Sequence, residues 1–365
     1  MSKKNEERNN PLLKKLDKWI GCPLVFTLGL FHRNHSVSNK YKKIAVIKTA
    51  AIGDTVILSA VLSEIKHIHP ESEITVICGK SNVAMLKIIP NLNHIEVFAM
   101  GTPIKSLLNM KKLGYFDLVL DFGPWPRINA LIAWTLKAGY KVGFRRKNTY
   151  RHYIYDAKVE HSDEVHEIEN YRNILRRAGI EPHGIMPDLR NDVIVREQDE
   201  QYVVFHMLPG GSRSEQKRWP HSYWCELAKR VNQEYGLKIL FSGSENDKTY
   251  IDGLLGELKE IDTENIAGVY SLAEMAGVLE NARFVVSVDT GIMHYAAAVG
   301  AKLIALHGPT SPLRWGPLSS NAVTMNNNSC QPCLSLGFEH KCENNVCMQD
   351  ITVEMVMKKI KVIME

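Results

Sequence analysis

The chain has 365 residues, more than one hydrophobic core usually supports, so its length predicts two domains. Its hydrophobic fraction of 45% and charged fraction of 23% are those of an ordinary globular protein. The formal net charge of +5 is unevenly placed, because residues 1–43 hold ten Lys/Arg and three Asp/Glu, whereas the rest holds 35 Lys/Arg and 37 Asp/Glu. The near-neutral body is therefore excluded from the class of basic nucleic-acid-binding domains.

The N-terminal arm, residues 1–42, combines basic and apolar residues at helical spacing. A helix is predicted over 11–20, with apolar Leu12, Leu13, Leu16, Trp19 and Ile20 opposite Lys14, Lys15 and Lys18. A break is predicted at Gly21-Cys22-Pro23, followed by an apolar run over 24–31 that is too short to span a bilayer. No small-residue cleavage site marks a signal peptide. Two interpretations stay open: the helix lies on an anionic membrane surface, or it packs on the protein's own core.

Strand and helix patterns alternate in both halves of the body, which predicts parallel sheets with right-handed crossovers. The first half, residues 43–185, is predicted to hold strands at 43–48, 73–78, 95–98, 117–121 and 141–144. The second half, residues 200–348, is predicted to hold strands at 202–207, 237–242, 284–288 and 302–306. Residues 181–201 carry two prolines and many charges, which is typical of a linker. A C-terminal helix over 350–365 is expected to cross back to the first domain.

The first strand is followed by a segment with an acid at its strand-to-helix junction. Residues 49–55 carry no Gly-Lys-Ser/Thr ending, so they do not form a P-loop, and Gly53 is their only glycine, so they are not a dinucleotide fingerprint. Asp54 lies where open α/β sheets bind their ligands. It is either the N-cap of the following helix or a catalytic base, and these residues alone leave both interpretations open.

A glycine-rich basic loop follows the strand at 202–205. It contains Leu208-Pro209-Gly210-Gly211-Ser212-Arg213 and Lys217-Arg218-Trp219-Pro220. Glycines allow close backbone approach, and three cations lie within a dozen residues, a pattern that favours phosphate contact. A solvated basic loop is the alternative.

An anion site is predicted where the apolar run 285–288 ends in Asp289-Thr290-Gly291 and a small-residue helix begins. The first backbone N–H groups of that helix and its dipole favour a phosphate there. Asp289 can accept hydrogen bonds from sugar hydroxyls. An ordinary turn with Asp or Thr as N-cap is the alternative.

Four of the seven cysteines lie near the C-terminus, at Cys330, Cys333, Cys342 and Cys347. Four thiolates suit a structural zinc ion, but the spacing is not that of paired Cys-x2-Cys units. The absence of a secretory signal argues against stable disulfides. The cysteines are therefore either ligands of a structural zinc ion or thiols without a metal.

Taken in order, these segments resemble glycosyltransferase family 9, the heptosyltransferases of lipopolysaccharide core synthesis. The resemblance runs from Lys43 onward and rests on Ala51-Ile52-Gly53-Asp54, Pro209-Gly210-Gly211-Ser212 with Lys217-Arg218-Trp219-Pro220, Gly243-Ser244-Glu245, Ala267-Gly268, Ser271-Leu272-Ala273-Glu274, Asp289-Thr290-Gly291 with His294, and Gly308-Pro309-Thr310 with Arg314 and Gly316-Pro317. It implies an α/β fold of the GT-B type, with two doubly wound, Rossmann-like parallel-sheet domains facing a central cleft and an N-terminal amphipathic arm.

The resemblance also implies inverting transfer of a heptose from ADP-heptose to the lipopolysaccharide inner core. Asp54 matches the family's general base and Lys217 its phosphate-binding lysine. The other implied donor-binding residues are Ser212, Gly243, Ser244, Glu245, Asp289, Thr290, Gly291 and His294, although His294 could equally be a buried histidine. Acceptor contacts are expected at Gly53, Thr55 and Arg127. No Asp-x-Asp motif appears, so no catalytic divalent metal is indicated, and no cofactor is expected beyond the zinc considered above.

The expected partners are a nucleotide-sugar donor, a lipid-linked acceptor and an anionic membrane surface, without nucleic acid. A lipid-linked acceptor favours the membrane interpretation of the arm, and hence a cytoplasmic protein peripheral on the inner membrane. The alternatives are transfer from another nucleotide sugar, a nucleotide-sugar epimerase, and a non-enzymatic zinc or scaffold protein. An epimerase would need no membrane arm, and the near-neutral body argues against the scaffold.

Overall fold

The computed structural model describes residues 15, 17–31, 35–38, 40–190, 201–211, 213–326, 332–334, 342 and 344–365. The chain forms two compact units, the first ending at Pro187 and the second beginning at Asp188. Each unit is built around one six-stranded parallel sheet. The α/β class predicted from the alternating patterns is confirmed.

The sheet of the first unit has the strand order β3-β2-β1-β4-β5-β6, with every neighbouring pair parallel. Its strands are β1 Lys43–Lys48, β2 Glu73–Cys78, β3 His94–Val97, β4 Tyr115–Asp121, β5 Lys137–Arg145 and β6 Ala157–Glu160. Its helices are α1 Gly21–Gly29, α2 Ile52–Ile68, α3 Val83–Leu86, α4 Pro103–Met110, α5 Arg127–Thr135 and α6 Glu167–Arg177, with a 3-10 turn at Arg151–Ile154. The apolar runs of β1 and β2 are buried, as expected for strands covered on both faces.

The sheet of the second unit has the order β12-β11-β10-β7-β8-β9 and is also parallel throughout. Its strands are β7 Tyr202–His206, β8 Lys238–Ser242, β9 Thr263–Asn265, β10 Val285–Val288, β11 Leu303–His307 and β12 Ala322–Asn326. Its helices are α7 His221–Tyr235, α8 Lys248–Leu255, α9 Leu272–Glu280, α10 Gly291–Ala298, α11 Pro312–Trp315, α12 Val346–Gln349 and α13 Val353–Met364, with 3-10 turns at Ser214–Lys217 and Glu245–Asp247.

All nine predicted strands are present, with ends that shift by a few residues. The three strands missed from the sequence are β6, β9 and β12, and each lies at the edge of a sheet. Edge strands are covered on fewer sides, so they need no continuous apolar run. Their residues are mostly half-buried or exposed, which explains the missing signal.

The C-terminal helix α13 packs on the second unit, and the expectation that it crosses back to the first domain is wrong. Its apolar stripe of Val353, Val356, Met357 and Ile360 belongs to the core that contains Trp219 and Trp224. The helix packs against α7 and β11. Its apolar surface is therefore used within the unit that precedes it.

Residues 17–19 and 21–29 of the N-terminal arm are helical. Residues 1–14 and 16, which include half of the helix predicted over 11–20, lie outside the described residues. A turn at Ile20 interrupts the helical residues, so the break lies just before the predicted Gly21-Cys22-Pro23, and α1 begins at Gly21. Pro23 falls in the first turn of α1, where no backbone N–H is needed. Gly21 and Val25 are buried against the first unit. Among the described residues, no helix combines the length and apolar character required to cross a bilayer.

Candidate active site

Both sheets reverse their strand order at one place, between β1 and β4 in the first unit and between β7 and β10 in the second. Open α/β sheets bind ligands at this switch point, beyond the carboxyl ends of the strands. Asp54 follows β1, Lys217 follows β7 and Asp289 follows β10. The topology therefore places the three principal residues of the sequence prediction at the switch points of their units.

In the first unit, Asp54 lies in the first turn of α2. Ala51 is the N-cap residue of this helix and no side chain caps it, so the N-cap interpretation of Asp54 is wrong. The carboxylate is 19% exposed, which leaves it accessible to a ligand. Its position near the helix N-terminus also favours its negative charge.

Lys48 and Tyr171 hold the carboxylate of Asp54. Lys48 Nζ donates to Asp54 Oδ1 at 2.7 Å, to the hydroxyl of Tyr171 at 2.6 Å and to the carbonyl of Phe122 at 3.2 Å. The Tyr171 hydroxyl donates in turn to Asp54 Oδ1 at 3.2 Å. Lys48 and Tyr171 are buried. The result is a closed triangle of hydrogen bonds that fixes the orientation of the carboxylate.

Neither Lys48 nor Tyr171 was predicted as a partner of Asp54. Lys48 ends a strand whose last five residues are buried, and a lysine at such a position was an available signal. Tyr171 gave no signal, because it lies on α6, more than a hundred residues further along the chain.

A second buried cluster surrounds Asp121 at the end of β4. The hydroxyl of Tyr155 donates to Asp121 Oδ2 at 2.5 Å, and Arg151 donates to the same oxygen and to the Tyr155 hydroxyl. Burial, followed by the charge of Asp121, raises the pKa of Tyr155 well above its ordinary value, so the phenol stays a donor. Asn129 donates to Asp121 at 3.2 Å and accepts from Thr49 at 2.9 Å. The cluster thereby anchors the loop that leads to Asp54.

Gly53 and Thr55, for which acceptor contacts were expected, are both buried in the first turn of α2. The Thr55 hydroxyl donates to the carbonyl of Ala51 at 2.7 Å and accepts from Asn82 at 2.9 Å. These contacts stabilise the turn that carries Asp54. They give no support to direct acceptor binding by Thr55.

Arg127 is likewise engaged within its own unit. Its NH1 group donates to Asp17 at 2.7 Å, and its other donors reach the carbonyls of Asn148 and Thr149 at 3.0 and 3.1 Å. The side chain is 9% exposed. Arg127 therefore ties the N-terminal arm to the first unit, and the expected acceptor contact finds no support in this arrangement.

In the second unit, Lys217 and Asp289 form an ion pair. Lys217 Nζ lies 2.9 Å from Asp289 Oδ2, and the Thr310 hydroxyl donates to the same oxygen at 2.8 Å. Burial alone would raise the pKa of Asp289, but Lys217, then His307 and His294, hold it well below its usual range. Asp289 is therefore an anion within a cationic environment. Thr310 was missed as a site residue, although its Gly-Pro-Thr segment was noted.

Thr290 is the N-cap of α10, and its side chain accepts from the backbone of Met293 at 3.4 Å. The capping interpretation of this residue is therefore confirmed. Gly291 is the first residue of the helix, and His294 is buried in its first turns. The helix N-terminus consequently lies directly beside the Lys217–Asp289 pair, as an anion site requires.

Three further predicted donor-binding residues follow β8. Ser244 is the N-cap of the 3-10 turn, where its backbone N–H and hydroxyl donate to Asp247 Oδ2 at 2.7 and 2.6 Å. Gly243 is half-buried and Glu245 is exposed at the carboxyl end of the strand. Ser212 lies outside the described residues.

The cysteine segment borders the loop that carries Lys217. The carbonyl of Cys342 accepts from Gln216 Nε2 at 3.2 Å. Cys347 is buried, whereas Cys333 and Cys342 are half-buried, and Cys330 lies outside the described residues.

The comparisons with known proteins agree with this geometry. Residues 112–342, more than half of the chain, match the family model described as glycosyltransferase family 9 (heptosyltransferase). The lipopolysaccharide core heptosyltransferase OpsX of Haemophilus influenzae is 24% identical over 338 residues, which cover 88% of this chain and 96% of that protein.

Two solved structures show the same fold. A family 9 glycosyl transferase from Veillonella parvula has a TM-score of 0.74 and 20% identity, covering 91% of this chain and 99% of its own. The E. coli ADP-heptose lps heptosyltransferase II has a TM-score of 0.71 and 22% identity, covering 88% and 98%. The fold is of the GT-B type, as predicted, and the chain belongs to glycosyltransferase family 9.

Proposed function

We propose that this glycosyltransferase transfers a heptose from ADP-heptose to a sugar hydroxyl of the lipopolysaccharide inner core, with inversion at the anomeric carbon. The observation that carries the proposal is the held carboxylate of Asp54 at the switch point of the first sheet. The names of similar proteins support the substrates, because one is a lipopolysaccharide core heptosyltransferase and another an ADP-heptose heptosyltransferase.

Asp54 is the proposed general base. Its carboxylate takes the proton of the acceptor hydroxyl while the hydroxyl oxygen attacks the anomeric carbon of the heptose. The bond from that carbon to the diphosphate breaks, and ADP leaves with the bonding electron pair. Attack from the face opposite the leaving group inverts the configuration.

Lys217 is the proposed cation for the diphosphate. An ammonium group has three donors, and Asp289 accepts from it at 2.9 Å, so further donors can serve phosphate oxygens. The N-terminus of α10 at Gly291 adds backbone donors and a favourable dipole. We assign heptose hydroxyls to Asp289 and ribose or base contacts to Glu245. This scheme requires no divalent metal, which an assay with excess chelator would check.

A panel of nucleotide sugars, tested with purified lipid acceptors while nucleotide diphosphate release is followed, tests the proposal. ADP-heptose should support release that depends on the acceptor, and the product linkage should be inverted. Faster turnover with a different nucleotide sugar would show that this sugar, and not ADP-heptose, is the donor. The family assignment would not be affected. Conversion of the donor without an acceptor would favour an epimerase reaction and overturn the proposal.

We also propose that the arm binds the cytoplasmic face of the inner membrane, where a lipid-linked acceptor would be met. Six large apolar side chains within residues 19–31 of the arm are exposed: Trp19, Ile20, Leu24, Phe26, Leu30 and Phe31. At 3.6 residues per turn they share one half of the helix circumference, whereas the buried Gly21 and Val25 lie on the other half. The helix thus packs on the protein and still presents an apolar face beside a basic segment, which suits an anionic surface.

A structural metal in the cysteine segment is a further proposal. Cys342 contacts the Lys217 loop through its carbonyl, so a metal bound by the four cysteines would stabilise that loop. Elemental analysis should find zinc that is lost when Cys347 is replaced by serine. Equal zinc content in the unsubstituted protein and the Cys347→Ser variant would show that the cysteine segment binds no metal.

A further inference from the structure

Outside the candidate active site, the second unit brings a histidine, a cysteine and a glutamate together. His221 Nε2 lies 3.1 Å from Glu257 Oε1, and Cys225 Sγ lies 4.0 Å from Glu257 Oε2. One ligand atom from each residue falls within 4.8 Å of the other two. Across the ranges that the structure describes, this is the single group of three such ligands so closely placed.

The fold explains why the three side chains meet. His221 is the first residue of α7, and Cys225 follows it by four positions, so both project from the same face of the helix. Glu257 lies just beyond the end of α8 and reaches the same face. The group therefore links the start of one helix to the end of the next.

Its chemistry and spacing fit a transition-metal ion. Imidazole, thiolate and carboxylate are the three ligand types of zinc, with bonds of about 2.0–2.3 Å. In a tetrahedron with such bonds, neighbouring ligand atoms are about 3.3–3.7 Å apart. The His221–Glu257 distance of 3.1 Å lies just below this range, and the Cys225–Glu257 distance of 4.0 Å lies just above it. A thiolate and a carboxylate would also neutralise a dication.

The second ring nitrogen of His221 provides an independent indication. Its Nδ1 atom lies 3.1 Å from the hydroxyl of Tyr250. Histidines that bind metals commonly use their other nitrogen in such a hydrogen bond, which orients the ring and fixes the tautomer. His221 and Tyr250 also line an open pocket of about 490 Å³, so an ion can reach the group from solvent.

We propose that His221, Cys225 and Glu257 bind one zinc-type divalent ion, with water as its fourth ligand. The nearby cation Lys229 is paired with Glu260 at 2.6 Å, so its charge is compensated. The ion joins α7 to α8 and stabilises the second unit. This site is separate from the cysteine segment near the C-terminus and does not depend on the transfer reaction.

Cobalt(II) titration of the full-length, untagged protein under a non-thiol reductant tests the site. Three variants each remove one ligand: His221→Ala, Cys225→Ser and Glu257→Gln. Each should bind one ion fewer than the unsubstituted protein or bind it at least about 10-fold more weakly. Cys225→Ser should in addition lose part of the cobalt–thiolate charge-transfer absorption. Zinc should raise the melting temperature of the unsubstituted protein more than that of any of these variants.

Two matched controls separate this site from other thiols and carboxylates. Glu226→Gln removes an exposed carboxylate of α7, and Cys22→Ser removes a half-buried cysteine of the first unit. Both should keep the stoichiometry and the spectrum of the unsubstituted protein. The proposal is overturned if the three ligand variants, folded by circular dichroism, bind as many ions as that protein with the same spectrum. The contacts would then be an ordinary hydrogen-bonded pair beside a thiol.

Discussion

Asp54 combines the two properties that a general base needs, an accessible carboxylate and a fixed orientation. Asp54→Asn keeps the shape of the side chain and removes the proton acceptor. Turnover should fall by about 100-fold or more, while donor affinity is retained. Steady-state kinetics and donor titration measure the two quantities. Glu71→Gln, an exposed change in the same unit, is the control. Near-normal turnover of the Asp54→Asn variant would show that Asp54 is not the general base.

Tyr171 is expected to position Asp54. Tyr171→Phe keeps the buried ring and removes the hydroxyl that contacts Lys48 and Asp54 at 2.6 and 3.2 Å. Loss of a hydrogen bond of about 1 kcal/mol should lower kcat by about 5-fold and leave the KM for the donor unchanged. The effect should be smaller than that of Asp54→Asn. An unchanged kcat would show that the Tyr171 hydroxyl is not needed to position the carboxylate.

Lys217 is expected to contact the diphosphate, which is common to the donor and to ADP. Lys217→Ala should weaken the binding of both by about 10- to 100-fold, the scale of a charge-assisted hydrogen bond. Titration calorimetry with ADP measures the change, and the exposed Lys259→Ala serves as the control. If ADP affinity stays the same, the partner of Lys217 is Asp289 alone or the acceptor.

These residues differ in how far the sequence could predict them. Asp54 and Asp289 each lie at a strand-to-helix junction, and Lys217 lies in a glycine-rich basic loop, so the local pattern could place all three beyond the ends of their strands. Tyr171 lies on a distant helix and meets Asp54 only through the packing of that helix. The pairing of Arg127 with Asp17 could not be predicted, since a lone arginine gives no indication of its partner, and its acceptor contact stays a prediction.

Among the elements, the central strands could all be predicted, whereas three of the four edge strands could not. Central strands are covered on both faces and must be apolar throughout, whereas β9 has no fully buried residue. The surface against which α13 packs could not be predicted from the sequence either. Its apolar stripe predicts burial without naming the surface that covers it.

The packing of α13 can be tested with two residues of the same helix. Ile360 is fully buried and Val362 is 68% exposed. Ile360→Ala should lower the free energy of unfolding by about 2–5 kcal/mol, since it removes buried methylenes and leaves a cavity. Val362→Ala should change it by no more than about 0.5 kcal/mol. Urea denaturation measures both, and equal effects would show that the stripe is not part of the core.

At the scale of the whole molecule, the two units share one strand order although their sequences show no repeat. Read from its first strand, each sheet reverses between its first and fourth strands. Because the two sheets share this topology, each unit has a possible ligand site at the carboxyl ends of its first and fourth strands. The first supplies a carboxylate held by Lys48, and the second supplies a cation held by Asp289.

The arm combines net positive charge with exposed apolar side chains, and its membrane role can be tested without deleting it. Deletion would uncover the surface on which Val25 packs, so point substitutions are preferable. Trp19 is 75% and Phe31 80% exposed, and replacing either by serine should weaken binding to anionic vesicles by about 10-fold or more. Replacing Lys15 and Lys18 by glutamine should weaken it further and reduce its salt dependence, at about 1 kcal/mol per charge.

Vesicle sedimentation with phosphatidylglycerol and with neutral lipid measures this binding. The control is Ile104→Ser, which removes a side chain of the same unit that is 74% exposed but lies on α4, outside the arm. It should bind like the unsubstituted protein, and activity on short, delipidated acceptors should be the same for all variants. Because burial of the apolar face and attraction of the cations act together, binding should require anionic lipid and decline with salt. Binding that is indifferent to lipid charge and to the Trp19 and Phe31 substitutions would contradict the membrane role and leave α1 as a structural element of the first unit.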